Sequence, residues 1–219
     1  MRDLKNGAKL PGSVAYLACD CKPQDVGRDF TDFKTLASLY KLRALGQIRF
    51  ANSKVEAGMA QGKDLVGSLN EASVYLVRAA IAHTHYYVVR NFFEKISALS
   101  VSSSLMEVLH QVALFYALDG IAQNSGEFLE DGLLSGADVK GIRQLSVDML
   151  PRIRVNAVAL VDAFEFGDDV LGSVLGRYDG NVYENLFKWA QNSSLNKTDV
   201  HPSYHKYIRP LLKRNQSKL

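Results

Sequence analysis

FKTLASLYKLRALGQIRFANSKV, residues 33–55, is the stretch that decides the fold class. Phe33, Leu36, Ala37, Tyr40, Ala44, Ile48, Ala51 and Val55 recur at steps of three and four residues, which lines one face of an α-helix with apolar side chains. Lys34, Lys41, Arg43, Arg49 and Lys54 lie off that stripe. Thr31 or Asp32 supplies an N-cap just before it. The pattern predicts a helix about 30 residues long, too long and too periodic for a strand.

Working outward, a joint at residues 62–67 carries Gly62, Asp64 and Gly67. Ser68 or Asn70 then caps a second helix reaching about residue 99, with Val74, Val77, Ile81, Val88, Phe92 and Ile96 as its apolar face. The serines of residues 100–104 open a third, residues 105–123, carrying Leu105, Val108, Leu109, Val112, Phe115 and Tyr116. Its low charge predicts a buried central element. Residues 124–136 read as a turn-rich joint around Phe128 and Leu129. A fourth helix is predicted over residues 137–163, kinked or split by Pro151, because proline removes a hydrogen bond and crowds the preceding turn. Residues 167–180 read as a loop and residues 182–190 as a last helix. The first 30 residues, punctuated by Gly7, Pro11, Gly12, Pro23 and Gly27, read as an irregular lead-in. The polar, proline-marked stretch from Asn192 reads as extended. No strand alternation and no internal repeat emerges. The expectation is an all-α helical bundle with antiparallel neighbours, in three sections: lead-in 1–30, helical domain 31–191 and tail 192–219.

Composition excludes several classes. Of 219 residues, 47% are hydrophobic and 22% charged, with 5 prolines and 16 glycines, which rules out low-complexity disorder and collagen-like repeats. No uninterrupted apolar run approaches the ~18 residues of a membrane span, so none is expected. MRDLKNGAKL, the first ten residues, lacks the apolar core of a signal peptide. Five basic residues (Lys206, Arg209, Lys213, Arg214, Lys218) and no acidic ones fall between His201 and Leu219. Removing these from the 26 basic residues leaves 21 against 23 acidic, so the net charge of +3 belongs to the tail and the body is −2. That distribution argues against a nucleic-acid partner. Cys19 and Cys21 are the only cysteines; half a metal site with no second pair, they read as two ordinary thiols in a loop.

Ser217-Lys218-Leu219 is the most specific short motif: at a free C-terminus it is the peroxisomal import address, read by a receptor that captures the terminal carboxylate. It predicts a peroxisomal matrix protein with the import receptor as a partner. Other candidates are weaker. His83 and His85 stand two apart on a helix and cannot chelate one metal together; His110, His201 and His205 suggest no site either, so no metal is expected. Glu127, Glu130 and Asp131, and Asp162, Glu165, Asp168 and Asp169, read as solvated charge at helix ends. Gly172, Gly176 and Gly180 have no strand before them and no Lys-Ser/Thr after, so they are no phosphate loop. Ser103, Ser146 and Ser173 are not in a nucleophile elbow. Tyr178, Tyr183, Phe187 and Trp189 read as packing or an interface.

Residues 155–196, VNAVALVDAFEFGDDVLGSVLGRYDGNVYENLFKWAQNSSLN, closely resemble the C-terminal region of straight-chain peroxisomal acyl-CoA oxidases. Tyr40-Lys-Leu-Arg-Ala44, Leu76-Val-Arg-Ala79, His83-Thr-His-Tyr86, Tyr204-His-Lys206 and the terminal Ser-Lys-Leu extend the likeness over most of the chain. It fades before about residue 29 and around Pro151, where the family places its proline a turn later. The resemblance implies the helical C-terminal domain of a dimeric flavoprotein. In that family a carboxylate takes the α-proton of an acyl-CoA, the β-hydrogen leaves as hydride to FAD, and oxygen reoxidises the flavin with release of hydrogen peroxide. The catalytic glutamate lies in an upstream Phe-Glu-Gly segment. Glu165, in Phe164-Glu165-Phe166, does not match it. No catalytic or flavin-binding residue is therefore assigned here, and FAD is expected on the region upstream of the one represented. Two readings follow: a domain that supports the active site and dimer of an acyl-CoA oxidase, or a stand-alone, non-catalytic peroxisomal interaction and dimerisation module.

Overall fold

The computed structural model describes residues 10–216. They form ten α-helices and several short 3-10 or π turns, with no strand among the described residues. The all-α expectation holds. The chain divides into two compact units, Met1–Asn156 and Ala157–Leu219.

In the first unit, helix α1 is Phe33–Ala60. Asp32 caps it, accepting from the Thr35 N–H at 2.8 Å, and that bond holds the Asp32 carboxyl below its usual range. Gly62 ends it at φ +87°, so that Gly62 N–H reaches Met59 O and Lys63 N–H reaches Gly58 O, closing two orphaned carbonyls. A short helix α2, Leu65–Glu71, follows, and its cap is Asp64 rather than Ser68 or Asn70. Ser68 is buried instead and donates to the Asp64 carbonyl at 2.9 Å.

Helix α3, Ser73–Ser97, runs antiparallel to α1. Ring contacts fix the register: Phe33 stacks on Phe93 at 4.1 Å, and Phe50 meets Tyr75 at 5.3 Å. The face α3 buries is Ala79, Ala82, Tyr86, Val89, Phe93 and Ile96. This corrects the sequence reading. Val74 and Val77 are 60% and 58% exposed, and Ile81 and Val88 are exposed too. The alanines win the core position because they let two helix backbones approach closely, as the bulkier stripe would not.

Helix α4, Ser103–Gln123, is capped by Ser102 as the serine-rich break suggests. It buries Ala113, Ala117, Leu118 and Ile121, but Leu105 and Tyr116 are exposed. It is thus half-covered within this chain, not a fully buried centre. By length and composition alone it could cross a membrane, an exception to the expectation from apolar runs. Helix α5, Ser125–Glu130, inserts Phe128 into the core. Helix α6, Gly136–Arg154, starts with a capping box between Ser135 and Asp138 and packs on α4. It contains Pro151 and stops at Arg154, so the predicted long helix is split.

The lead-in belongs to this unit. A 3-10 turn, Ala15–Ala18, puts Tyr16 and Leu17 into the core, and Arg28 donates to the Leu133 carbonyl at 2.9 Å and pairs with Asp138 at 3.3 Å. Cys19 and Cys21 are joined as a disulfide across 5.3 Å between their Cα atoms, so they are not the free thiols expected.

The second unit holds α7 (Ala157–Asp162), α8 (Asp168–Leu171), α9 (Val182–Asn192), a π turn at Tyr204–Ile208 and α10 (Arg209–Gln216). Residues 202–216 of the tail are helical where an extended chain was expected, while residues 197–201 form no regular element. Pro202 sits at the start of the helical segment, where its missing N–H costs nothing. Among the described residues of this unit only Val174 is buried.

Candidate functional site

The most organised polar constellation lies where α1, α3, α4 and α5 meet. Arg43 of α1 is 1% exposed. Its Nε–H donates to Glu127 Oε2 at 2.5 Å, one terminal nitrogen donates to His85 Nδ1 at 3.0 Å, and the other to Asn124 Oδ1 at 3.3 Å. A guanidinium only donates, so His85 Nδ1 accepts and the ring proton of neutral His85 sits on Nε2. The cation also lies 5.3 Å from the centre of the Phe128 ring. Burial first, then the Arg43 charge, lowers the His85 pKa, and Glu127 opposes them.

Tyr40, one turn before Arg43, donates its hydroxyl to the Ala117 carbonyl at 2.7 Å, and burial drives its pKa upward. Gly120 leaves room for that hydroxyl: a Cβ there would overlap Tyr40 Oη. Likewise the Asp131 carboxylate occupies the space a side chain on Gly46 would take. Burial raises the Asp131 pKa, as do the charges of Glu130 and Glu127. A cavity of about 140 Å³ adjoins this node, lined by Tyr40, His85, Tyr116, Asp119 and Asn124 among others. Three of the five N–H groups of Arg43 donate to protein acceptors drawn from three other parts of the chain. The node ties α1, α3, α4 and α5 together.

A larger groove, about 1220 Å³, lies between the start of α1, the end of α3 and the start of α4. Arg90 borders it, with its guanidinium 5.5 Å and 5.9 Å from the Tyr86 and Tyr87 rings and its Nε 3.5 Å from Glu94. That Nε is buried and lacks a partner at hydrogen-bonding geometry. Lys34, Arg90 and Arg152 line the groove together with Asp32, Glu94 and Glu107, so its charges are mixed.

The other sequence candidates do not converge. Ser217, Lys218 and Leu219 lie outside the described residues. His83 Nδ1 is hydrogen-bonded to the Tyr16 hydroxyl at 2.8 Å, and His110 meets the edge of Phe33 at 5.2 Å. Among the described residues no three metal-binding side chains cluster. Asp168 pairs with Arg177 at 3.6 Å and Asp179 pairs with it at 3.2 Å, while Glu165 is exposed at φ +53°. Tyr178, Tyr183, Phe187 and Trp189 are all exposed. The cavity beside Arg43, about 140 Å³, is too small to admit a flavin dinucleotide.

Sequence reasoning missed Arg43 and Glu127, taken there as off-stripe and solvated charges. One signal was available. Leu36, Leu39, Tyr40 and Arg43 follow i, i+3, i+4, i+7, which puts Arg43 on the buried face.

Fold and site together define an all-helical domain with a buried polar node at the meeting of four helices. The acyl-CoA oxidase family model matches residues 32–213, and the chain belongs to that family. It is 43% identical to peroxisomal acyl-coenzyme A oxidase 1 of Cavia porcellus over 99% of this chain and 33% of that protein. It is 42% identical to the Homo sapiens protein of the same name, over 98% of this chain and 33% of that one. Among solved structures, acyl-CoA oxidase-1 of Caenorhabditis elegans complexed with FAD and ATP superposes with a TM-score of 0.85 at 33% identity, covering 97% of this chain and 33% of that one. The chain thus spans about a third of the length of the curated relatives it matches.

Proposed function

We propose that the chain serves as the C-terminal helical portion of an FAD-dependent acyl-CoA oxidase, the enzyme that converts an acyl-CoA and oxygen to a trans-2-enoyl-CoA and hydrogen peroxide in peroxisomal fatty-acid β-oxidation. The observation that carries this is 43% identity over 99% of the chain, confined to a third of the relative. The chain's own residues supply support. The Arg43 node locks four helices, and the exposed apolar faces are surfaces for the rest of the enzyme and for a second subunit. FAD and acyl-CoA belong, on this reading, to the two thirds of the enzyme outside the matched region. Peroxisomal import rests on Ser217-Lys218-Leu219 and on relatives named as peroxisomal.

The test is a chimera in which this chain replaces the matched third of the Cavia porcellus oxidase. A yellow, dimeric protein that releases peroxide from an acyl-CoA supports the reading. A folded chimera that is colourless or inert overturns it.

The exposure of Val158, Phe164, Tyr183 and Phe187 in a unit with almost no core of its own favours a second reading, an interaction and dimerisation module acting without catalysis. Light scattering on the 219-residue chain tests it: self-association supports it, and a monomer that also ignores oxidase subunits ends it.

A further inference from the structure

We infer that Cys19 and Cys21 form a reversible, peroxide-responsive dithiol–disulfide site. The two cysteines sit on a four-residue connector pinned at both ends. Before it, the Cys19 N–H closes the Ala15–Ala18 turn on the Tyr16 carbonyl at 3.0 Å. After it, the Lys22 N–H donates to Asp25 Oδ2 at 3.0 Å at the start of the Pro23–Asp25 turn. Pinning both turns holds the two Cα atoms 5.3 Å apart, within disulfide reach, and the structure pairs the sulfurs.

Such a bridge closes a very small ring, so it restrains the unfolded chain less than a long-range bridge does. Stability is therefore a poor reason for it. In intracellular proteins a disulfide is more often redox-active than structural. Access fits that use. Both cysteines are half-buried and line a cavity of about 370 Å³ together with Lys22, Asp25 and Lys41. Arg49 also donates to the Cys19 carbonyl at 3.4 Å. Asp20 also lines the cavity, so cations and carboxylates both stand beside the pair.

The step balances. One thiolate attacks the peroxide O–O bond, giving a sulfenic acid and hydroxide, and the hydroxide takes up the proton that thiol lost to become the first water. The second thiol displaces hydroxide from that sulfur, the S–S bond forms, and the proton it releases completes the second water. Two thiols are oxidised by two electrons and one hydrogen peroxide is reduced to two waters. The oxidant is the by-product of the oxidase reaction, so the source of peroxide, though not the chemistry, rests on the proposed function.

The experiment uses the 219-residue chain, reduced, freed of reductant without air, and titrated with hydrogen peroxide. Iodoacetamide and dimedone then trap thiols and sulfenic acid for mass spectrometry. Both alkylation sites are expected to disappear together, with no dimedone adduct, and to return with dithiothreitol. Cys19→Ser and Cys21→Ser should each convert the remaining thiol to a dimedone adduct. Persistent alkylation of the wild type, a wild-type dimedone adduct, sulfinic acid or only interchain bridges would overturn the inference. Reagent peroxide keeps the two claims separate. A chimera that makes no peroxide defeats the oxidase reading and leaves the thiol result standing, whereas a working oxidase with inert thiols defeats only this site.

Discussion

Glu127 accepts the Nε–H of Arg43 at 2.5 Å, and the arginine side chain is 1% exposed against 24% for the glutamate. A cation buried so completely depends on its acceptors, because an unpaired charge away from water is costly. Glu127→Ala is expected to destabilise the chain by about 3 kcal/mol, the range for breaking a buried pair from one side. Replacing both residues, Arg43→Met with Glu127→Leu, should recover much of that loss. Urea denaturation of the three variants measures it. Equal losses in the single and double variants would show that the pair does not act as a unit.

Tyr40 and Gly120 are coupled by shape. Gly120→Ala puts a methyl group onto Tyr40 Oη, so it should cost about 1–3 kcal/mol by overpacking. In a Tyr40→Phe background the nearest remaining ring atom is 3.4 Å away, an ordinary contact. There the same substitution should be neutral or stabilising, since alanine in a helix interior is favoured over glycine by up to about 1 kcal/mol. A double-mutant cycle by thermal or urea melting reads the coupling, and additive effects would refute it.

His85 links the node to pH. Its folded-state pKa lies below the ordinary 6.5, so the unfolded chain binds more protons as pH falls through that value. Its contribution to stability is complete above about pH 6.5 and is lost progressively as pH falls below it. His85→Gln should flatten that part of the stability–pH curve. Asp131, whose pKa is raised, acts with the opposite sign and at lower pH, so the two are separable by range. Equilibrium unfolding from pH 5 to 8 is the measurement, and identical slopes in variant and wild type would remove His85 from the account.

Deleting Leu219 from the protein should leave it in the cytosol, because the import receptor loses the apolar anchor of its tripeptide. Fluorescence imaging of an N-terminally tagged chain decides the point. Continued import would mean entry on a partner or through another signal.

The fold was legible where one periodicity dominated. In α1 the apolar stripe, the Asp32 cap and the stop near Gly62 all agree. It was illegible where two faces are apolar. On α3 the large residues Val74, Val77 and Ile81 outshone the alanines that make the contact, because residue size says how much surface wants burial but not which surface meets its neighbour in this chain. On α4 the apolar residues ring the helix and point to no face at all. The polar node escaped notice for a different reason. Arg43 and Glu127 are 84 positions apart, and only the fold brings them together.

Tyr16, Leu17 and Arg28 carry a practical consequence for anyone trimming the gene. The family match begins at residue 32, yet Tyr16 hydrogen-bonds His83 and Leu17 fills the core. An expression clone cut at the match boundary would shed a plug that seals α3 and a clasp on the loop before α6. Boundaries for crystallisation or display are better set upstream of Leu10.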